Sequence, residues 1–210
     1  HVVNLVSILY ESGSQRFDAV QAFGARAVAE AARAAGAKVT YVSAIGADKD
    51  SASDYACSKA EAAAAVFETV KDAIILRPSI IFGPEDGFFN KFAGMATLAP
   101  ALPLIGGGET KFQPVYVGDV AEAIARSVDG TVEGGKVHEL GGPDVRSFKE
   151  LMQEMLDVIE RKRLLVPLPF WAAKIIGSVA GLLPSPVLTR DQVTLLESDN
   201  VVSDKAKKDG

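Results

Sequence analysis

The stretch KVTYVSAIGADKDSASDYACSKAEAAAAVFETVKDAIIL, residues 38–76, decides the fold. It opens on Lys38-Val39-Thr40-Tyr41-Val42, with the β-branched and aromatic content that suits a half-buried strand. It closes on Ala73-Ile74-Ile75-Leu76, an apolar run of strand length that Arg77-Pro78 ends. Between them a run of strong helix formers extends from Asp54 towards Val70, and Ser51 or Ser53 can cap it. Strand, helix and strand in this order imply a parallel pair, since the crossover returns the chain to the edge it left.

The same alternation continues outward. Val2 to Val6 reads as an earlier apolar strand, followed by a loop holding Glu11-Ser12-Gly13-Ser14. Phe17 to Ala35 is an alanine-rich helix that Gly36 stops. The prediction is an α/β protein, a Rossmann-type doubly wound parallel sheet with helices on both faces. Ligands in such sheets bind beyond the carboxyl ends of the strands. Those ends are Asn4 to Ser7, Ser43 to Gly46 and Pro78 to Gly83.

Beyond Gly83-Pro84 the pattern loosens. A helix is expected over Phe88 to Ala99, then a turn-rich connection over Leu102 to Glu109 in which Gly106-Gly107-Gly108 is a plain turn. Short strands follow at Val115 to Val117 and Val137 to Leu140, with Asp119 placed to cap a helix from Val120 to Val128. Ser147 and Glu150 form a capping-box pattern for a helix to Ile159. Arg161-Lys162-Arg163 then precedes an apolar helix from Phe170 to Leu183, broken by Pro184-Ser185-Pro186. The expected division is 1–130, the C-terminal part of a Rossmann-type domain that lacks its first βαβ half, with an insertion near 85–114, and 131–210, a smaller C-terminal region. The opening strand at His1 and Val2 predicts that the sequence begins inside a longer gene.

Composition narrows the function. A net charge of −5 and a pI near 5.1 argue against general nucleic-acid binding. One cysteine excludes an internal disulfide, and with two histidines it leaves no zinc cluster to propose, while no spacing suggests a carboxylate-only metal site. The sequence has no apolar run of about 18 residues.

Tyr55 and Lys59 stand four residues apart on the expected helix, and so on one face. A neighbouring ammonium favours the ionised form of a phenol, which can make the tyrosine an acid or base. The spacing alone is weak: 4 tyrosines and 13 lysines give about 0.25 such pairs by chance. Other features read quietly. Glu85 and Asp86 are solvated loop charges, Arg77 pairs locally, Cys57 is a small apolar residue, and Trp171 is core or interface.

Five segments together carry a resemblance. They are Val3-Asn4-Leu5-Val6, Tyr41-Val42-Ser43-Ala44-Ile45-Gly46-Ala47, the Tyr55/Lys59 pair, Leu76-Arg77-Pro78-Ser79-Ile80-Ile81-Phe82-Gly83-Pro84, and Val115-Tyr116-Val117-Gly118-Asp119. In this order, over residues 1 to 130, they resemble the extended and atypical short-chain dehydrogenase/reductases. Ile8-Leu9-Tyr10-Glu11, Phe82-Gly83-Pro84-Glu85-Asp86-Gly87-Phe88-Phe89-Asn90 and Phe112-Gln113-Pro114 are similar to one branch. That branch holds the NAD(P)-binding accessory subunit of respiratory complex I and its bacterial relatives.

The resemblance implies NADP or NAD as cofactor and a role for each matching residue. Tyr55 is the acid/base, and Lys59 binds the nicotinamide ribose and lowers the tyrosine pKa. Leu5, Val6 and Ser7 line the adenosine side, and Pro78, Ser79 and Ile80 flank the nicotinamide. Ser43 is the nearest candidate for the serine that polarises a substrate carbonyl, which the family carries slightly further along, where this chain has Ile45. The family's glycine-rich phosphate loop belongs upstream of His1. Nucleotide-sugar enzymes of the family tend to place an arginine where this chain has Lys111-Phe112-Gln113-Pro114. The implied function is an accessory or assembly subunit of an NADH:quinone oxidoreductase. Its partners are respiratory-chain subunits or a membrane surface met through the C-terminal region, on the inner face of the bacterial inner membrane or the mitochondrial matrix side. The alternative is an active oxidoreductase, epimerase or dehydratase on a small carbonyl or sugar-like substrate.

Overall fold

The computed structural model describes residues 1–183, 186 and 188–209. Four parallel strands form the main sheet, in the order β1 (Val2–Asn4), β2 (Val39–Val42), β3 (Ile74–Pro78), β8 (Lys136–Leu140). Between β1 and β2 the chain enters a π-helical turn, Asp18–Phe23, which continues as α1 (Gly24–Ala34). Helix α2 (Asp54–Thr69) joins β2 to β3. The expected alternation is present, with β1 shorter than predicted: Leu5 and Val6 leave the sheet and are exposed.

Small side chains explain how the helices lie against the sheet. Ala25, Ala29 and Ala32 recur at four- and three-residue spacing on α1 and are all buried. They meet Ala62, Ala63 and Val66 of α2 over Tyr41 and Ile75 of the sheet. Methyl groups let the backbones approach closely, and helical spacing keeps them on one face. The next residue along β2, Thr40, points the other way. Its hydroxyl meets the Ser127 hydroxyl of α4 (Val117–Asp129) at 2.8 Å, so α4 covers the second face. Asp119 lies inside the first turn of α4 rather than capping it, because the helix begins two residues earlier, at Val117.

This sheet and its helices make up one compact unit, residues 1–79, 118–140 and 202–210. Residues 131–140, placed with the C-terminal region in the sequence reading, lie in this unit because β8 pairs with β3 through five registered residues.

The second unit comprises residues 80–117 and 141–201. Its elements are β4 (Ile81–Phe82), α3 (Phe89–Leu98), β5 (Ala101–Ile105), a 3-10 turn at Gly106–Gly108, β6 (Lys111–Phe112) and β7 (Val115–Tyr116). They are followed by β9 (Arg146–Ser147), α5 (Phe148–Val158), β10 (Leu164–Leu168), α6 (Phe170–Ala180) and α7 (Arg190–Leu195). Its core is aromatic: Phe88, Phe92, Phe112 and Phe148 pack edge to face or tilted, with ring centroids 5.4 to 6.4 Å apart, over Leu151, Met152 and Met155. Ser147 and Glu150 close the predicted capping box at the start of α5.

Two expectations change here. Residues 101–105 form a strand, β5, paired in parallel with β10, where a turn-rich connection was expected. Asp86 is more than a solvated charge: its carboxylate accepts from the backbone N–H groups of Phe88 and Phe89 and so fixes the entry to α3. Helix α6 ends at Ala180. The proposed break at Pro184-Ser185-Pro186 falls where residues 184 and 185 lie outside the described residues. Among the described residues no helix is long and apolar enough to cross a membrane. The last helix, α8 (Asp204–Asp209), belongs to the first unit.

Candidate functional site

Ser53 begins the site by capping α2, its hydroxyl accepting from the Ala56 N–H at 3.3 Å. The cap starts the helix at the carboxyl edge of the sheet, and Tyr55 and Lys59 then share its inner face. Lys59 is only 2% exposed. Its ammonium donates to the Val42 carbonyl at 3.1 Å and the Tyr41 hydroxyl at 3.5 Å. The same Nζ stands 5.2 Å from the Tyr41 ring centre and 5.9 Å from that of Tyr55. Burial among carbonyl and aromatic groups pulls its pKa down to about 8.

Tyr55 is half-buried and is steadied by the Phe17 ring, edge-on at 6.1 Å. Burial pushes its phenol above the usual value, and a hydrogen bond with the Ser7 side chain pulls it partly back. Burial, rather than the Lys59 ammonium, therefore sets the direction of the shift. Tyr41 is raised as well, first by burial and then by the neighbouring Tyr55.

Behind the tyrosine lies a network that sequence reasoning missed. The Ser7 hydroxyl donates to Gln21 Oε1 at 3.1 Å, and Gln21 Nε2 donates to the Ser58 hydroxyl at 3.1 Å. Ser58 in turn donates to the Tyr55 carbonyl at 2.8 Å. Gln21 has no exposed surface and sits in the π-helical turn. The one available signal was a lone amide among Val20, Ala22 and Phe23. A π turn carries one extra residue, which shifts the face of the helix and defeats a count by 3.6.

The other expected residues divide. Ser43 is buried and donates to the Lys59 carbonyl at 3.5 Å, so it joins the group as a brace on α2. Pro78 and Ser79 sit on the sheet edge: the Pro78 carbonyl accepts from Ile45 N–H at 3.0 Å and Ser79 N–H donates to Leu140 at 2.9 Å. Leu5 and Val6 are exposed beyond β1, where Asn4 Oδ1 accepts from the Val6 N–H at 3.0 Å. Ile80 lies in the second unit, against its aromatic core. The local pairing expected of Arg77 is not seen at its Nε, which is buried with no hydrogen-bond partner among the described residues. Cys57 is half-buried, and its thiol donates to the Ser51 carbonyl at 3.1 Å.

A parallel sheet covered on both faces, with tyrosine, lysine and serine gathered at its carboxyl edge, is the architecture of the Rossmann class. Residues 2–141 match the NAD dependent epimerase/dehydratase family. The chain belongs to that family.

It is 39% identical to NADH dehydrogenase (ubiquinone) 1 alpha subcomplex subunit 9, mitochondrial, of Arabidopsis thaliana, over 99% of this chain and 54% of that protein. It is 35% identical to ceramide reductase of Caulobacter vibrioides, over 80% of this chain and 52% of that one. The chain thus spans about half the length of the curated relatives it matches. Among solved structures, dTDP-glucose 4,6-dehydratase of Bacillus anthracis in complex with NAD superimposes with a TM-score of 0.65 at 20% identity, over 80% of this chain and 59% of that one. That likeness concerns the fold.

Proposed function

We propose that this chain is part of an NAD(P)-binding accessory or assembly subunit of an NADH:quinone oxidoreductase. The observation that carries the reading is the 39% identity with the Arabidopsis complex I subunit across 99% of the chain. The residues at the sheet edge suit NAD or NADP. Two hydrogens of the Lys59 ammonium meet Val42 and Tyr41, and the third can meet a ribose hydroxyl. Ser43, Pro78 and Ser79 complete the nicotinamide side, and the exposed Leu5, Val6 and Ser7 offer the adenosine side. The partners are respiratory-chain subunits and, through residues of the second unit, a membrane surface. The chain then sits peripherally on the inner face of the bacterial inner membrane, or on the matrix side of a mitochondrial one.

A second reading, an active oxidoreductase on a carbonyl or sugar-like substrate, is favoured by the Tyr55/Lys59 arrangement and by the likeness to ceramide reductase. In it Tyr55 would exchange a proton with the substrate oxygen and Lys59 would hold the ribose of NAD or NADP, whose chemistry when bound is hydride transfer.

Tyr55→Phe separates the two. In a strain lacking the native gene, the accessory reading expects the variant to restore the amount of assembled NADH:quinone oxidoreductase in membranes as fully as the original chain. The enzyme reading expects a loss of about a hundredfold or more, the usual scale for removing a general acid or base. Normal assembly in the deletion strain itself would sink the accessory reading.

A further inference from the structure

The largest concentration of exposed apolar side chains lies on α6 and the turn after it. Trp171 is 69% exposed, Ile175 59%, Val179 66% and Leu182 85%. The spacing of four puts Trp171, Ile175 and Val179 in one row along the helix, and Leu182 follows in the turn after it. Ile176 and Leu183, also exposed, widen the row to a face.

The opposite side of α6 is fixed. Ala173 is fully buried with Ile105 and Val193, and Lys174 pairs with Glu197 at 2.8 Å. A Cβ on Gly177 would come within 2.8 Å of the Arg190 N atom, so α6 and α7 touch backbone to backbone. The helix is therefore held with its apolar face outward.

Charge says what covers this face. Residues 161 to 190 contain five cations, Arg161, Lys162, Arg163, Lys174 and Arg190, and no Asp or Glu at all. The whole chain is net −5, so its remaining residues are more acidic still. Arg161, Lys162 and Arg190 are exposed, and Leu164 and Val166 beside the first two are exposed as well. A second copy of the chain would set these cations against themselves. An anionic surface with an apolar layer beneath it matches both features.

We infer that the outer face of α6 docks on an anionic lipid bilayer, with Trp171, Ile175, Val179 and Leu182 entering the interface and Arg161, Lys162 and Arg190 meeting lipid phosphates. The inference rests on the peripheral-membrane part of the reading above, not on its respiratory partner.

Trp171 is the only tryptophan in the chain, so its fluorescence reports this face alone. The 210-residue chain is titrated with vesicles of phosphatidylcholine, and with vesicles of equal parts phosphatidylcholine and phosphatidylglycerol. The expected result is a blue shift of emission on the anionic vesicles, with quenching by brominated acyl chains. Ile175→Ser with Val179→Ser should abolish the shift. Arg161→Gln with Lys162→Gln should weaken partition about thirtyfold and keep the fold. Unchanged emission on anionic vesicles overturns the inference. So does an equal shift on phosphatidylcholine alone, or a shift that grows with protein concentration in the absence of lipid. NADPH binding is measured on the same samples. Its retention without lipid binding sinks the docking surface alone, and lipid binding without it upholds the docking surface by itself.

Discussion

Lys59 keeps an ammonium where almost no water reaches it. Its pKa falls from 10.5 to about 8 in the fold. Between those two values the unfolded chain binds more protons than the folded one, so stability rises with pH through that window. Below pH 8 the full cost of burying the charge is present. From pH 7 to pH 9 the relief is about 1 kcal/mol. Tyr41 and Tyr55 act in the opposite sense: burial raises both, so their contribution is whole below about pH 10 and is lost above it. Urea denaturation at pH 7 and pH 9 should show the rise, and Lys59→Met should remove it. An equal rise in the variant would mean that the charge lies elsewhere. The shared face of Tyr55 and Lys59 was legible from their spacing, but the groups around them were not. Tyr41 comes from a strand, and Gln21 from a turn whose periodicity differs from the helix it opens.

Legibility among the elements followed how local their causes are. The alanine stripe of α1, the glycine after it and the capping box at Ser147 each act within a few residues, and each was readable. Strands β5 and β10 were not. Each carries one proline, Pro103 and Pro167, which argues against a strand. Among the described residues the two pair as a two-stranded sheet, so each has a free side to which a proline can present its missing N–H. That partnership joins residues some sixty positions apart, Leu102 with Leu165 for one, which no local window contains. The contact of α6 with α7 is nearer in sequence, Gly177 against Thr189 and Arg190, yet it too lies beyond a single helix. Gly177→Ala should push a methyl group against the backbone of Thr189 and Arg190 and cost about 1 to 3 kcal/mol, read as a lowered thermal midpoint. An unchanged midpoint would show that the two helices separate freely.

At the scale of the molecule, the parallel sheet and its covered faces were readable, and the interleaving of the two units was not. Sequence order suggests a boundary near residue 130, but β8 completes the first sheet from beyond it. A chain ending at residue 130 would leave the β3 edge bare from Ile74 to Pro78. We expect it to unfold in urea less cooperatively than the full chain and to aggregate, as an exposed strand edge does. A cooperative, monomeric 1–130 fragment would show that the sheet stands without its fourth strand.

The interleaving also sets a timetable for synthesis. Pro78 leaves the ribosome well before Lys136, and at about 5 to 20 residues per second the interval is roughly 3 to 12 seconds. For that time the nascent sheet has an open side while the first part of the second unit emerges. Codons that slow translation between these positions would prolong the exposure, and the chain's demand for chaperones would rise with them.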